Sequence, residues 1–126
     1  MGKDPQEWLK QADYDMDTAE YMYMGGRYIY AIFMCHLAVE KALKGIYQQK
    51  LESVPPKTHN LLYLIEKTQV QPSADLQKAV IFLNRLSIPT RYPDDIQRMM
   101  KEYTQERTGE IFEGSKEVLR WLKKLY

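Results

Sequence analysis

Apolar positions recur along this chain with the period of a helix, and no stretch alternates as a half-buried strand does. Leu9, Ala12, Met16, Ala19 and Tyr23 share one face, which predicts a first helix over about Pro5 to Met24. Asp4 is placed to cap it, Pro5 suits the first helical position, and Gly25-Gly26 stops it. A second helix is predicted from about Tyr28 to Gln49. Its Ala31, Ile32, Cys35, Ala38, Val39, Ala42, Leu43 and Ile46 form a continuous apolar wall. The opposite side changes character along the helix. Tyr30, Phe33 and Leu37 keep it apolar in the first half; Glu40, Lys41, Lys44 and Gln48 make it polar in the second, with His36 at the border.

Pro55 and Pro56 then break the chain, because neither has an amide donor and both restrict their predecessors. Thr58 can cap a short third helix over "HNLLYLIEKT", with His59 just inside it. Ser73 can cap a fourth, to about Ser87, with Leu76, Ala79, Val80, Leu83 and Leu86 on one face. "IPTRYPDD" interrupts again, and "IQRMMKEY" has room for a helical turn or two. A final helix runs from about Thr104 to Leu125 on an Ile111, Ser115, Val118, Leu122 and Leu125 stripe. Five helical segments joined by short breaks predict an all-α fold, an up-and-down bundle of four to five helices forming one domain over residues 1–126.

Composition narrows the function classes. The net charge of +1 gives no global field that advertises nucleic acid or an anionic membrane. A single cysteine, Cys35, rules out an intrachain disulfide and fits a reducing compartment. No apolar run approaches the roughly 20 residues of a membrane span, and "MGKDPQEWLKQ" does not read as a signal peptide. A soluble, cytoplasmic protein without membrane contact is the expectation. Ten Tyr and seven Met suit interfaces as well as cores. Tyr14 and Tyr21 lie opposite the first helix's apolar stripe, and the second helix is apolar all round in its first half. A homodimer is therefore expected over a monomer.

Candidate chemistry gathers in few places. Glu40 and Lys44 are spaced i,i+4 in the favourable order, worth ~0.3–0.5 kcal/mol on an exposed face. Asp15 falls at the edge of the first helix's apolar face and needs a partner; Lys41, Arg91 and the Trp8 indole all qualify. Pro89 and Pro93 flank Arg91-Tyr92, a pair suited to gripping a phosphate and stacking on a base. Arg91 is equally suited to tying the loop to Asp15 or Asp94. His36 and His59 stand in different predicted helices and are too few for a metal centre, so neither metal nor cofactor is expected. Cys35 lies in the buried wall, where its thiol pKa rises. His59 alone reads as a capping or packing residue.

Taken in order, Trp8, Ala12, Asp15 and Ala19, then "GGRY", "AVEKALKG", "PPKTHNLLYLI" and "LNRLSIPTRYPD" resemble the HEPN domain family over nearly the whole chain. The resemblance implies a four- or five-helix bundle that forms homodimers, with polar residues along a cleft. It also implies a minimal nucleotidyltransferase as partner, and toxin–antitoxin or defence systems as setting. Some members are metal-independent ribonucleases in which an Arg is followed about four to six residues later by a His. No Arg here has such a His: Arg91 is followed by "YPDDIQ" and Arg85 by "LSIPTR". The chain thus resembles a non-ribonuclease branch with an "RYP" loop. The positions carried over are Glu40, Lys44, His59 and Arg91, supported by Asp15 and Lys41.

The expectation is a module that binds a nucleotide or an RNA phosphate, with Lys44 and Arg91 on the phosphate, Tyr92 stacking and Glu40 orienting Lys44. Two alternatives stand beside it. One is a divergent ribonuclease pairing Arg91 with an unconventional His. The other is a purely structural interaction bundle.

Overall fold

A computed structural model describes residues 4–86 and 93–126, with the backbone alone for residues 93–95. Arg91 and Tyr92 lie outside the described residues. Within them the chain is all helical: α1 (Pro5–Met24), α2 (Tyr28–Leu51), α3 (Leu61–Thr68), α4 (Ala74–Leu86), α5 (Pro93–Glu102) and α6 (Gln105–Lys123).

The first helix begins where its local chemistry says it should. The Asp4 carboxylate accepts from the Gln6 amide at 2.9 Å, and Pro5 occupies the first turn. At the other end Gly26, at φ 77, turns the chain with a backbone that L-residues adopt at a penalty, so α2 starts two residues later. α2 runs beyond the predicted Gln49 to Leu51 and closes on Glu52 in the left-handed region. α5 is a full helix where the sequence offered a turn or two. Pro93, read as a loop stiffener, is its first residue, the one helical position where a missing N–H costs nothing.

α2 is the axis of the bundle and touches each of the other five helices. Its predicted wall is buried throughout, packed with Ala12 and Ala19 of α1, Leu61 and Leu64 of α3, Val80 and Leu83 of α4, Met99 of α5, and Val118 and Leu122 of α6. Phe112 and Leu119 join this core although the predicted α6 stripe omitted them. α1 and α2 form an antiparallel hairpin pinned by two cross-links. The Trp8 indole donates to Gln48 Oε1 at 3.1 Å, and the Lys41 ammonium lies 2.8 Å from Asp15 Oδ2. α6 closes the other flank: the Tyr126 hydroxyl donates to the Ala42 carbonyl at 2.5 Å, and Tyr23 stacks on Phe112.

Candidate functional site

The site is set by the return of the chain after α2. Residues 52–60 fold back along α2, with Pro55 buried. Asn60 then caps α3, its side-chain oxygen accepting from the Tyr63 amide at 3.1 Å. Thr58, the predicted cap, accepts instead from the Asn60 amide. Asn84 of α4 fixes this corner by accepting from the Leu61 amide at 2.7 Å. His59 is therefore not inside a helix. It sits one residue ahead of the cap, and the corner aims it back at α2.

There it meets Glu40. His59 Nδ1 is 2.9 Å from Glu40 Oε1, and Lys44 Nζ donates to Glu40 Oε2 at 3.0 Å. An ionised carboxylate only accepts, so His59 donates from Nδ1 in this contact, and its Nε2 stands outside it. The His59 side chain is 62% exposed, while Glu40 is 3% and Lys44 8% exposed. A buried carboxylate thus orients an imidazole that stands in solvent.

This corrects the sequence reading of Glu40 and Lys44 as an exposed pair worth a few tenths of a kcal/mol. Both are buried, and a wheel of α2 alone does not show that the chain returns after α2 to bring His59 onto Glu40. Lys44 is not a free cation aimed at solvent; its charge balances that of Glu40. His36, set by the sequence at the border of the two faces and not carried into the candidate site, lies beside this pair. It is 4% exposed, its Nδ1 is 3.8 Å from Glu40 Oε1, and its Nε2 has no hydrogen-bond partner among the described residues. Burial holds its imidazole below the usual histidine range, against the pull of the Glu40 carboxylate. Its one sequence signal was the i,i+4 spacing to Glu40.

Asp15 is buried at 5% exposure, more deeply than an edge position predicts, and Lys41, one of its three candidate partners, lies beside it. The contact is short but poorly aligned for a hydrogen bond, so its stabilisation is Coulombic. The Trp8 indole is engaged by Gln48 instead. The structure thus brings together Glu40, Lys44 and His59, and places the Asp15–Lys41 pair within the same turn of α2, on the side that faces α1. Cys35 is fully buried and its thiol is pushed up to about 12, which removes it as a nucleophile. No helix of the described residues is long and apolar enough to cross a membrane.

Comparison with known proteins agrees with this architecture. The crystal structure of TT1696 from Thermus thermophilus superposes with a TM-score of 0.81 at 26% identity, covering 97% of this chain and 98% of that one. The crystal structure of ST0689, an archaeal HEPN homologue, gives a TM-score of 0.77 at 27% identity, covering 99% and 100%. No curated protein matches. The model of the HEPN domain matches residues 5–125. On that match, which spans all six helices, the chain belongs to the HEPN domain family.

Proposed function

We propose that this HEPN domain binds the phosphate of a nucleotide or of RNA at the surface where His59 emerges. The observation that carries the reading is the Glu40 carboxylate, buried and neutralised by Lys44, holding His59 Nδ1 at 2.9 Å. A burial of this kind needs a reason, since an apolar pair of similar volume serves stability as well or better. Orienting an exposed imidazole is such a reason, because a fixed ring loses little entropy when it meets an anion. The imidazolium form of His59, its Nδ1–H on Glu40, donates from Nε2 to the phosphate in the role first given to Lys44, and Lys44 acts as the counter-ion beneath. Arg91 and Tyr92, taken from the "RYP" sequence, supply the second cation and the stacking ring. The module works as a homodimer and partners a minimal nucleotidyltransferase in a toxin–antitoxin or defence-type system.

Calorimetric titration with AMP, ATP and a short single-stranded RNA tests this. Binding is expected, and His59→Ala weakens it by ~1–3 kcal/mol, as loss of a charge-assisted contact does. Equal binding by wild type and His59→Ala removes the reading, as does no binding at millimolar ligand.

One observation favours a second reading, a metal-independent ribonuclease. A carboxylate-oriented imidazole with its outer nitrogen open is a general base. His59 Nε2 would take the 2′-hydroxyl proton, the 2′-oxygen would bond to phosphorus, and the 5′-oxygen would leave with a proton from water. Cleavage of mixed RNA in chelator that vanishes in His59→Ala promotes this reading; intact RNA retires it.

A further inference from the structure

The last helix separates two grooves of opposite charge. On its α1 side the lining carries Glu20, Glu106, Glu110 and Glu113 against the ammonium of Lys116. On its α4 side a groove of about 290 Å³ is lined by Lys78 and Arg107, with Phe82, Ala79 and Ile111 as its apolar part. Glu110 is the acid in that lining, and it stands on the crest of α6 that both grooves share. The Arg107 guanidinium lies over two rings, 5.9 Å from the centre of Phe82 and 5.0 Å from that of Tyr103. Tyr103 is buried and meets the half-buried Phe82 edge to face. Among the described residues no carboxylate lies within ion-pair distance of Lys78, Arg85 or Arg107. Lys10, Lys41, Lys44, Lys116, Arg120 and Lys123 each have one. On a wheel at 100° per residue, the solvent side of α4 runs from Asn84 through Arg85 and Lys78 to Phe82. Asn84 holds the Asn60–Leu61 corner next to His59. That side therefore leads from the His59 surface to the α4–α6 groove, about 9 Å along the axis from residue 84 to residue 78.

We propose that the α4–α6 groove takes a second segment of the strand whose phosphate meets His59, so that the ligand of this domain is single-stranded RNA of several nucleotides and not a mononucleotide. The inference rests on the phosphate reading of His59 and names its ligand class. Arg107 and Lys78 each meet one phosphate, and Arg85 lies on the way between them and His59. A guanidinium without a carboxylate keeps its N–H groups for phosphate oxygens, and the two rings hold it in place before the strand arrives. Phe82 gives one base a surface to stack on, which any base can use. Cations interleaved with a ring along a groove hold a single strand without reading its sequence. The carboxylates of the α1–α6 groove repel the same strand, so the charge on the two sides of α6 leaves it one path. A mononucleotide reaches one end of that path; a strand with a phosphate on every residue reaches both.

Fluorescence anisotropy with a labelled RNA of about ten nucleotides, beside calorimetric titration with AMP, tests the inference on the whole chain. The variants are Lys78→Gln/Arg107→Gln, Lys78→Gln/Arg85→Gln and His59→Ala, with Lys10→Gln on α1 as control. Lys78→Gln/Arg107→Gln is expected to bind the RNA at least ~10-fold more weakly, as loss of charge-assisted contacts does, with AMP binding and helical circular dichroism unchanged. Lys10→Gln is expected to change neither ligand. The slope of log K against log salt should flatten by about 1.4 in that double variant, since each phosphate contact on a single strand contributes roughly 0.7; a packing defect leaves the slope alone. Lys78→Gln/Arg85→Gln alters exposed side chains only and is expected to weaken RNA and flatten the slope likewise, so it decides the matter if Arg107→Gln disturbs the fold. RNA bound no more tightly than AMP, or an RNA affinity and slope untouched by both double variants, overturns the inference and leaves the His59 reading standing. Groove-dependent RNA binding that His59→Ala leaves whole removes the His59 reading instead, and a wild type that binds neither ligand removes both.

Discussion

Replacing Glu40 by Ala removes the one acceptor that Lys44 and His59 share. Lys44 keeps its charge, and its side chain is 10% exposed, so the ammonium is left with little water and no counter-ion. Breaking a buried pair by removing one partner typically costs ~3–5 kcal/mol; the residual exposure of Lys44 places this case near the lower end, about 3 kcal/mol. At this chain length each kcal/mol moves the midpoint of thermal unfolding by about 3–5 °C, so Glu40→Ala should unfold roughly 10–15 °C below wild type. His59→Ala removes a partner that reaches water anyway, and should cost under ~1 kcal/mol. The double variant Glu40→Ala/Lys44→Met should recover part of the loss, because it leaves no orphaned charge. Urea unfolding by circular dichroism of these variants and of Lys44→Met gives the free energies of the cycle and the coupling between positions 40 and 44. A Glu40→Ala loss below ~1 kcal/mol, or a double variant no more stable than Glu40→Ala, would refute the claim that the pair is a buried, mutually dependent unit.

Three further outcomes follow from the packing. A Cβ on Gly45 would meet Tyr126 Cζ at 2.9 Å and Trp8 Cβ at 3.0 Å, so Gly45→Ala should destabilise by ~1–3 kcal/mol despite the better helix propensity of Ala, and thermal unfolding of Gly45→Ala beside Gly45→Ala/Tyr126→Ala checks that the ring is the obstacle. Because burial lowers the His36 pKa from its ordinary 6.5, the unfolded chain takes up this proton first; stability from this group is whole above about pH 6.5 and falls as the pH drops toward the folded value, a slope that His36→Gln should remove from urea midpoints measured between pH 7.5 and 5. The Cys35 thiol, pushed up to about 12, should resist iodoacetamide at pH 8 in the native protein and react within minutes in urea, and native labelling at the unfolded rate would contradict its burial.

How much of this was legible in the sequence depends on how local the cause was. α1 is bounded as Asp4, Pro5 and Gly25-Gly26 predict, because each acts within a turn of itself. The α2 wall is likewise a property of one helix and its period. The start of α3 was misplaced by two residues because Thr58 and Asn60 both qualify as caps, and the decision between them involves Asn84, more than twenty positions away. The Glu40–His59 contact spans nineteen positions, and nothing in α2 announces that the chain after it will return His59 to its polar half. Burial of Glu40 and Lys44 was therefore misjudged from the wheel, while the choice of Glu40, Lys44 and His59 as related positions came from the family resemblance. Lys41 was one of three partners offered for Asp15; the hairpin register selected it.

The central claim is that a buried carboxylate presents His59 to a phosphate. Imidazole 15N–1H correlation spectra of the folded protein, recorded at pH 7 during titration with AMP and then with short RNA, test it most directly. His59 is expected to carry its proton on Nδ1, its Nε2 resonance to move progressively to saturation, and His36, buried beside Glu40, to shift far less. A His59 protonated only on Nε2, or a His59 signal that stays in place while ligand reaches millimolar concentration, would contradict it.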